Sequence, residues 1–196
     1  MGQRTTGRDR MITGAMRLFR EYGVAGTSLA DVVEHSEAPR GSIYHYFPGG
    51  KAQLAEEATA HAGRLMGATI SALVAAEGPV KALNLVVEHF RKDLVESDFT
   101  AVCPVLAGAL DGGESPAARE VAGEAFSSWE ATLSAALWQH GIPARRADRM
   151  ATTAISAIEG ALVLARAQRS TRPLDRVAEA LAEQVGALLT ASETQP

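Results

Sequence analysis

A chain of 196 residues, 46% of them hydrophobic, can bury a sizeable core, as one domain or as a small module joined to a larger one. Its single cysteine, Cys103, excludes an internal disulfide and any CxxC metal or redox site, and five scattered histidines lack metal-ligand spacing. The net charge of −4 divides unevenly: residues 1–51 carry seven basic and five acidic side chains, the remainder twelve and eighteen. A locally basic end on an acidic body is compatible with a nucleic-acid partner, because charges are screened within about 8–10 Å in physiological salt.

In chain order, Met11, Ile12, Ala15, Met16, Phe19 and Tyr22 have the spacing of an amphipathic helix, and Gly23 offers a left-handed stop. Ser28 and Asp31 form a capping-box pattern that starts a second helix carrying Leu29, Val32 and Val33. That helix is short, since Ser36-Glu37-Ala38-Pro39 intervenes. Pro39 suits the first turn of a third helix, which runs to about Phe47 and stops at Pro48-Gly49-Gly50. A long helix from Lys51 to Glu77 is broken by Gly78-Pro79, and Leu83, Val86, Val87, Phe90 and Leu94 mark the next. Cys103-Pro104 opens a short helix that ends at Asp111-Gly112-Gly113. Ser115-Pro116 starts another, reaching His140. Pro143 opens one ending near Arg169, and Leu174 to Leu188 form the last stripe. No alternating strand pattern and no repeat occurs. The reading is all-α, about nine helices.

The longest apolar run, about residues 153–165, is interrupted by Glu159, and no charged leader precedes an apolar core, so the expectation is a cytoplasmic protein without a membrane segment. The histidines (His35, His45, His61, His89, His140) join no Glu-x-x-His pair, and no nucleophile elbow, phosphate loop or dinucleotide fingerprint is present. Enzyme, metal and cofactor are therefore not expected.

The second and third helices, about two turns each and tightly joined, read as a helix-turn-helix, whose second helix enters a DNA major groove. Ile43 and Phe47 are spaced to hold it to the core. Arg40 and Tyr44 then share an outer face, and Gly41 and His45 an adjacent one. Arg40 can pair with a guanine edge, Tyr44 can meet a thymine methyl or a phosphate, and Gly41 lets the backbone approach closely. Tyr46 and Lys51 stand where a phosphate strand would pass, Lys51 at a helix N-terminus.

At these residues the chain resembles the TetR family of transcriptional repressors, most clearly over residues 23–54, "GVAGTSLADVVEHSEAPRGSIYHYFPGGKAQL". The "FPGGK" turn, "CPV" at 103–105, "SPAARE" at 115–120 and "ARAQRST" at 165–171 are similar to the LmrA/YxaF-like branch. The resemblance implies a helix-turn-helix DNA-binding domain over residues 1–50 and a ligand-binding and dimerisation domain over 51–196. It implies a homodimer on a palindromic DNA operator, released by an apolar or planar small-molecule effector. The expected DNA contacts are Thr27, Ser28, Arg40, Gly41, Ser42, Tyr44, His45, Tyr46 and Lys51. Glu37 departs from the glycine usual in the family's turn. A left-handed Glu costs on the order of 1 kcal/mol and places a negative charge near DNA. That departure motivates an alternative, a helical small-molecule-binding protein with weakened DNA binding.

In the body, Ala154, Ala157, Ala161 and Ala165 permit close helix approach, with Ile155, Ile158 and Leu162 beside them. The last stripe is spaced near 3.5 residues, as packed helix pairs require. The resemblance makes the last two helices a dimeric four-helix bundle, with the expected interface at Ala154, Ile155, Ile158, Ala161, Leu162, Val177, Leu181, Val185 and Leu188. Phe90, Leu94, Phe99, Cys103, Trp129, Leu133 and Glu159 are candidates to line an apolar cavity. Glu159, a lone carboxylate among apolar neighbours, can pair across a dimer, meet an arginine or contact a ligand.

Overall fold

The computed structural model describes residues 6–193, the side chains of Arg40 and of residues 191–193 excepted. Among these residues all regular structure is helical. Helix α1 (Gly7–Tyr22) starts on a capping box in which Thr6 and Asp9 exchange hydrogen bonds, and the Gly23 N–H closes it on the Phe19 carbonyl at 2.8 Å. Helix α2 (Leu29–His35) starts on the reciprocal pair Ser28 and Asp31. A 3₁₀ turn (Arg40–Ser42) leads into α3 (Ile43–Tyr46). The span Gly50–Glu96 is interrupted at Gly78, whose φ of 76° and ψ of 169° are not helical, so it comprises α4 (residues 50–77) and α5 (79–96). Then follow α6 (Pro104–Ala109), α7 (Pro116–Gln139), α8 (Ala144–Gln168) and α9 (Arg172–Glu193).

The chain forms two compact units that do not divide at residue 50. The first holds the residues up to Leu65 together with Cys103–Ala125; the second holds Met66–Val102 and the chain from Phe126. The expected boundary is corrected for a packing reason. Leu54, Ala55 and Ala58 of α4, Ala107 of α6 and Ala118 of α7 belong to the same core as Met11, Phe19, Val32, Ile43 and Phe47. Three helices of this size bury too little apolar surface alone, and the added ones supply the rest.

Inside the first unit the contacts leave little slack. A Cβ on Gly108 would lie 2.4 Å from Thr59 Oγ1 and 2.7 Å from its Cγ2, so α6 meets α4 at glycine distance. Ser115, 1% exposed, donates to the Ala52 carbonyl at 3.0 Å and caps α7 by accepting from the Ala118 N–H. In the second unit α8 and α9 pack along each other. Their core includes Ala154, Ile158, Ala161, Leu162, Ala165, Leu174, Leu181 and Val185, all buried within one chain. Arg91 joins α5 to α9, 2.7 Å from Asp175.

Two helical spans, Gly50–Glu96 and Ala144–Gln168, have the length and hydropathy of a membrane segment, which the apolar-run reading does not anticipate. The first is broken at Gly78, and half of the apolar window of the second is buried among its neighbours.

Candidate nucleic-acid interface and apolar cavity

The α2–α3 pair is positioned from three sides. Val32, Val33, Ile43 and Phe47 seat it in the core. The turn between the helices is tied to α1, where Ser36 Oγ donates to the Arg10 carbonyl at 3.2 Å and Arg10 Nε donates to the Ser36 carbonyl at 3.3 Å. Gly14 admits this contact, because a Cβ there would fall 2.6 Å from Ser36 Oγ. With Ser36 held, Glu37 takes φ 50°, the left-handed conformation that favours glycine. At the far end of α3, Arg8 lies 5.2 Å from the Phe47 ring centroid and pairs with Glu57. Glu57 accepts from Gln53, and Gln53 accepts from the Gly49 N–H at 2.8 Å.

What this scaffold presents is narrower than the expected contact set. Tyr44 is 65% exposed, and His45, Gly41 and Ser28 are also exposed. Among the described residues, none beyond its immediate chain neighbours comes within 4 Å of where a Gly41 Cβ would be. Thr27, by contrast, is 2% exposed and its hydroxyl donates to the Gly23 carbonyl at 2.9 Å, so it is a structural residue of the α1–α2 connection. The Ser42 hydroxyl donates to the Pro39 carbonyl at 2.6 Å and closes the 3₁₀ turn. Tyr46 is half-buried against the core, its hydroxyl near Gly7. Lys51 is half-buried, 2.6 Å from Glu114 and 3.2 Å from the Ala25 carbonyl. Arg40 falls outside the described side chains, although its backbone opens the 3₁₀ turn. Glu34 and Glu37 share a surface groove with Tyr44. Two exposed carboxylates are held below the usual aspartate value of 3.8, Asp31 by the Ser28 N–H and then its hydroxyl, Asp9 by the Thr6 hydroxyl and then its N–H.

The second unit encloses an apolar cavity with about 480 Å³ of atom-free space, part of it open to solvent. Its walls are Met66 and Ile70 of α4, Ala82, Leu83, Val86 and Phe90 of α5, Trp129 and Leu133 of α7, and Ala154, Ile155, Ile158 and Glu159 of α8. Gly67 lets α4 approach the Trp129 indole, since a Cβ there would be 3.2 Å from Nε1, and Phe126 packs edge-on against the same ring. Four of the seven expected cavity residues are present. Leu94 packs in the core, 1% exposed, and Phe99 lies under the Arg169 guanidinium with φ 60°. Cys103 is 1% exposed and precedes α6 as its N-cap residue. Of the expected dimer residues, Ala154, Ile155 and Ile158 line this cavity. Ala161, Leu162, Leu181 and Val185 are buried in the subunit core, while Val177 and Leu188 are half-buried. The buried residues of this set are covered within one chain, while Ile155, Val177 and Leu188 keep part of their surface accessible. The large apolar side chains that α8 leaves exposed are Val163 and Leu164. Met66 and Ile70 complete the wall from α4, and in the sequence their one-turn spacing reads as ordinary core.

Comparison with known proteins decides the family. Residues 11–58 match the model of bacterial regulatory proteins of the tetR family, and residues 79–180 match the C-terminal domain of LmrA/YxaF-like transcriptional regulators. The chain belongs to the TetR family. An HTH-type transcriptional regulator of Mycobacterium tuberculosis, Rv0196, is 39% identical, covering 87% of this chain and 89% of its own. The Bacillus subtilis regulators YxaF and LmrA are 31% and 30% identical, over 91% and 85% of this chain and 95% and 90% of theirs. The crystal structure of a TetR-family regulator from Cytophaga hutchinsonii superimposes with a TM-score of 0.76 at 28% identity, covering 92% of this chain and 94% of that one. A Rhodobacter sphaeroides TetR structure superimposes with a TM-score of 0.79 at 17% identity, over 90% and 97% of the two chains, which speaks for the fold alone.

The protein is thus a TetR-family transcriptional regulator of the LmrA/YxaF-like branch. The N-terminal match ends at residue 58, inside α4, and the cavity residues from Ala82 to Glu159 fall within the C-terminal match.

Proposed function

We propose that the protein is a ligand-responsive repressor that binds a palindromic operator as a dimer and leaves it when a small apolar molecule fills the cavity. The observation that carries this reading is the pairing, in one TetR-family chain, of an exposed Tyr44–His45 face on α3 with an apolar cavity walled partly by α4, the helix that follows α3 in the chain. Tyr44 and His45 read base edges, Gly41 permits backbone approach, Ser28 meets a phosphate, and Arg40 pairs with a guanine. Val163 and Leu164 on α8 extend the apolar surface on which the dimer forms.

Helix α4 transmits the signal by covalent continuity. Leu54, Ala55 and Ala58 sit in the head core, while Met66 and Ile70 of the same helix form cavity wall. A ligand that binds better to one setting of the Met66–Ile70 turn shifts the population of head spacings, with a coupling of about 1–3 kcal/mol. A regulator of chromosomal DNA works in the cytoplasm. Selection of operator sequences from random duplexes tests the reading, followed by footprinting at two salt concentrations. A palindromic site with two protected major-groove faces is expected; binding without sequence preference overturns it.

A second reading, a helical small-molecule-binding protein with weakened DNA binding, has one observation in its favour. Glu37 and Glu34 line the groove beside Tyr44, on the side from which phosphates would approach. Retention of ligand binding with no selectable operator would establish it.

A further inference from the structure

We infer that the cavity takes a neutral, hydrocarbon-like molecule whose enclosed part bears no charged or hydrogen-bonding group. The inference rests on the cavity being the effector site and narrows the chemical class of the occupant.

Among the described residues, the side chains that line the cavity are hydrocarbon, apart from the Met66 thioether, the Trp129 indole and Glu159. The indole Nε1 lies against α4, 3.2 Å from where a Gly67 Cβ would be. Glu159 lends the wall its stem. The surface facing the cavity is carbon almost throughout, so the carboxylate does not face it, and Glu159 is engaged within the protein. Every wall residue lies in a helix, and helices pair their backbone groups internally. The enclosed space therefore offers water almost nothing to bond, and apolar cavities of this kind stay dry.

Three classes of occupant fare differently against such a wall. An ion of either sign leaves its hydration shell and meets no opposite charge. A hydroxyl-rich molecule surrenders hydrogen bonds to water and recovers none. A hydrocarbon has no polar group to desolvate, leaves water, and gains contact along its whole surface. The rings of Trp129 and Phe90, each 3% exposed, and the Met66 sulfur add polarisable surface suited to a flat aromatic. Part of the space is open to solvent, so a polar group can stay hydrated only at that mouth. A molecule with polar groups at opposite ends must bury one of them.

The test keeps one ring and exchanges its ends. p-Xylene, p-cresol, hydroquinone, p-toluate and 4-methylbenzylamine are titrated calorimetrically into the protein at pH 7, under argon. p-Xylene is expected to bind most tightly and with a favourable enthalpy, as entry into a dry apolar pocket gives. Hydroquinone and both ions are expected to bind more weakly than p-xylene by on the order of tenfold or more. Ala154→Leu, which extends a wall side chain into the space, is expected to weaken p-xylene binding by about tenfold. Should that variant fail to fold, the probe order on the unaltered protein still decides. Hydroquinone or either ion binding as tightly as p-xylene overturns the inference and leaves the cavity as an effector site of another class. Absence of p-xylene binding, or p-xylene affinity unchanged in folded Ala154→Leu, overturns the inference outright. The expected order, with affinity for the selected operator unchanged at saturating p-xylene, sustains the inference and overturns the effector-site reading instead.

Discussion

The Lys51 ammonium lies 2.6 Å from Glu114 Oε2 and donates a 3.2 Å hydrogen bond to the Ala25 carbonyl. One side chain at the start of α4 therefore holds both the α1–α2 connection and the loop preceding α7. In the proposed complex Lys51 also faces a phosphate, so Glu114 and DNA compete for one cation. Glu114→Gln is expected to strengthen duplex binding a few-fold, in the range of about 0.2–1 kcal/mol for an exposed ion pair, with the larger gain at low salt. Equal affinity of both proteins at low and high salt would show that Lys51 stays with the protein in the complex.

Glu37 occupies the left-handed region at φ 50°, where glycine is free of strain. Glu37→Gly is expected to stabilise the fold by about 1 kcal/mol and to strengthen operator binding by removing a carboxylate beside Tyr44. Melting temperature and affinity at two salt concentrations check it. A variant both less stable and weaker in binding would mean that Glu37 serves the turn.

Two glycines separate packing from recognition. Gly41 has open space where its Cβ would be, so Gly41→Ala is expected to leave stability unchanged or raise it by about 0.4–1 kcal/mol while weakening operator binding. Gly108 is met at 2.4 Å by Thr59, which is 2% exposed and stiff at χ1, so Gly108→Ala is expected to cost roughly 1–3 kcal/mol. Denaturant unfolding and a gel-shift titration read the two effects separately. Equal loss of stability in both variants contradicts the assignment.

Assembly is best probed where α8 is exposed. Leu164 is 52% exposed and Leu162 is 1% exposed. Leu164→Glu is expected to lower the association constant with little change in secondary structure, whereas Leu162→Glu unfolds the subunit by burying a charge. Sedimentation at micromolar concentration distinguishes them. A Leu164→Glu protein as dimeric as the original would place the interface elsewhere.

Asp9, Asp31 and Asp98 are all held below 3.8, Asp98 by the hydrogen bond and then the charge of Arg169. A carboxyl whose folded-state pKa is depressed contributes stability above its unfolded value and loses it as pH falls through the folded one. Stability is therefore expected to decline from about pH 4 downward, with the starts of α1 and α2 loosening. Ser28→Ala, which removes the Asp31 partner's hydroxyl, is expected to cost about 0.5–2 kcal/mol at neutral pH and to show a shallower acid decline. Identical pH profiles would show that the cap does not set the acid limit.

The features legible in the sequence are those written within one or two turns of chain. The Ser28–Asp31 box, the stop at Gly23, the core pair Ile43 and Phe47, and the left-handed demand on Glu37 arise from contacts between residues up to four apart or from a residue's own φ. Steric and capping preferences act at that range, so residue type alone reveals them. The TetR-family head was readable for the same reason. Partner choice over longer separations was not. Lys51 finds Glu114, Arg8 finds Glu57, and residues 103–125 join the head rather than the body, through packing that no local pattern encodes. The small and apolar residues of α8 fit a partner helix of another subunit as well as they fit α9 and the cavity. Burial of Leu162 and Leu181 inside one chain, with Val163 and Leu164 outside, was decided only when the helices packed. An amphipathic stripe specifies that it must be covered; the tertiary fold specifies by what.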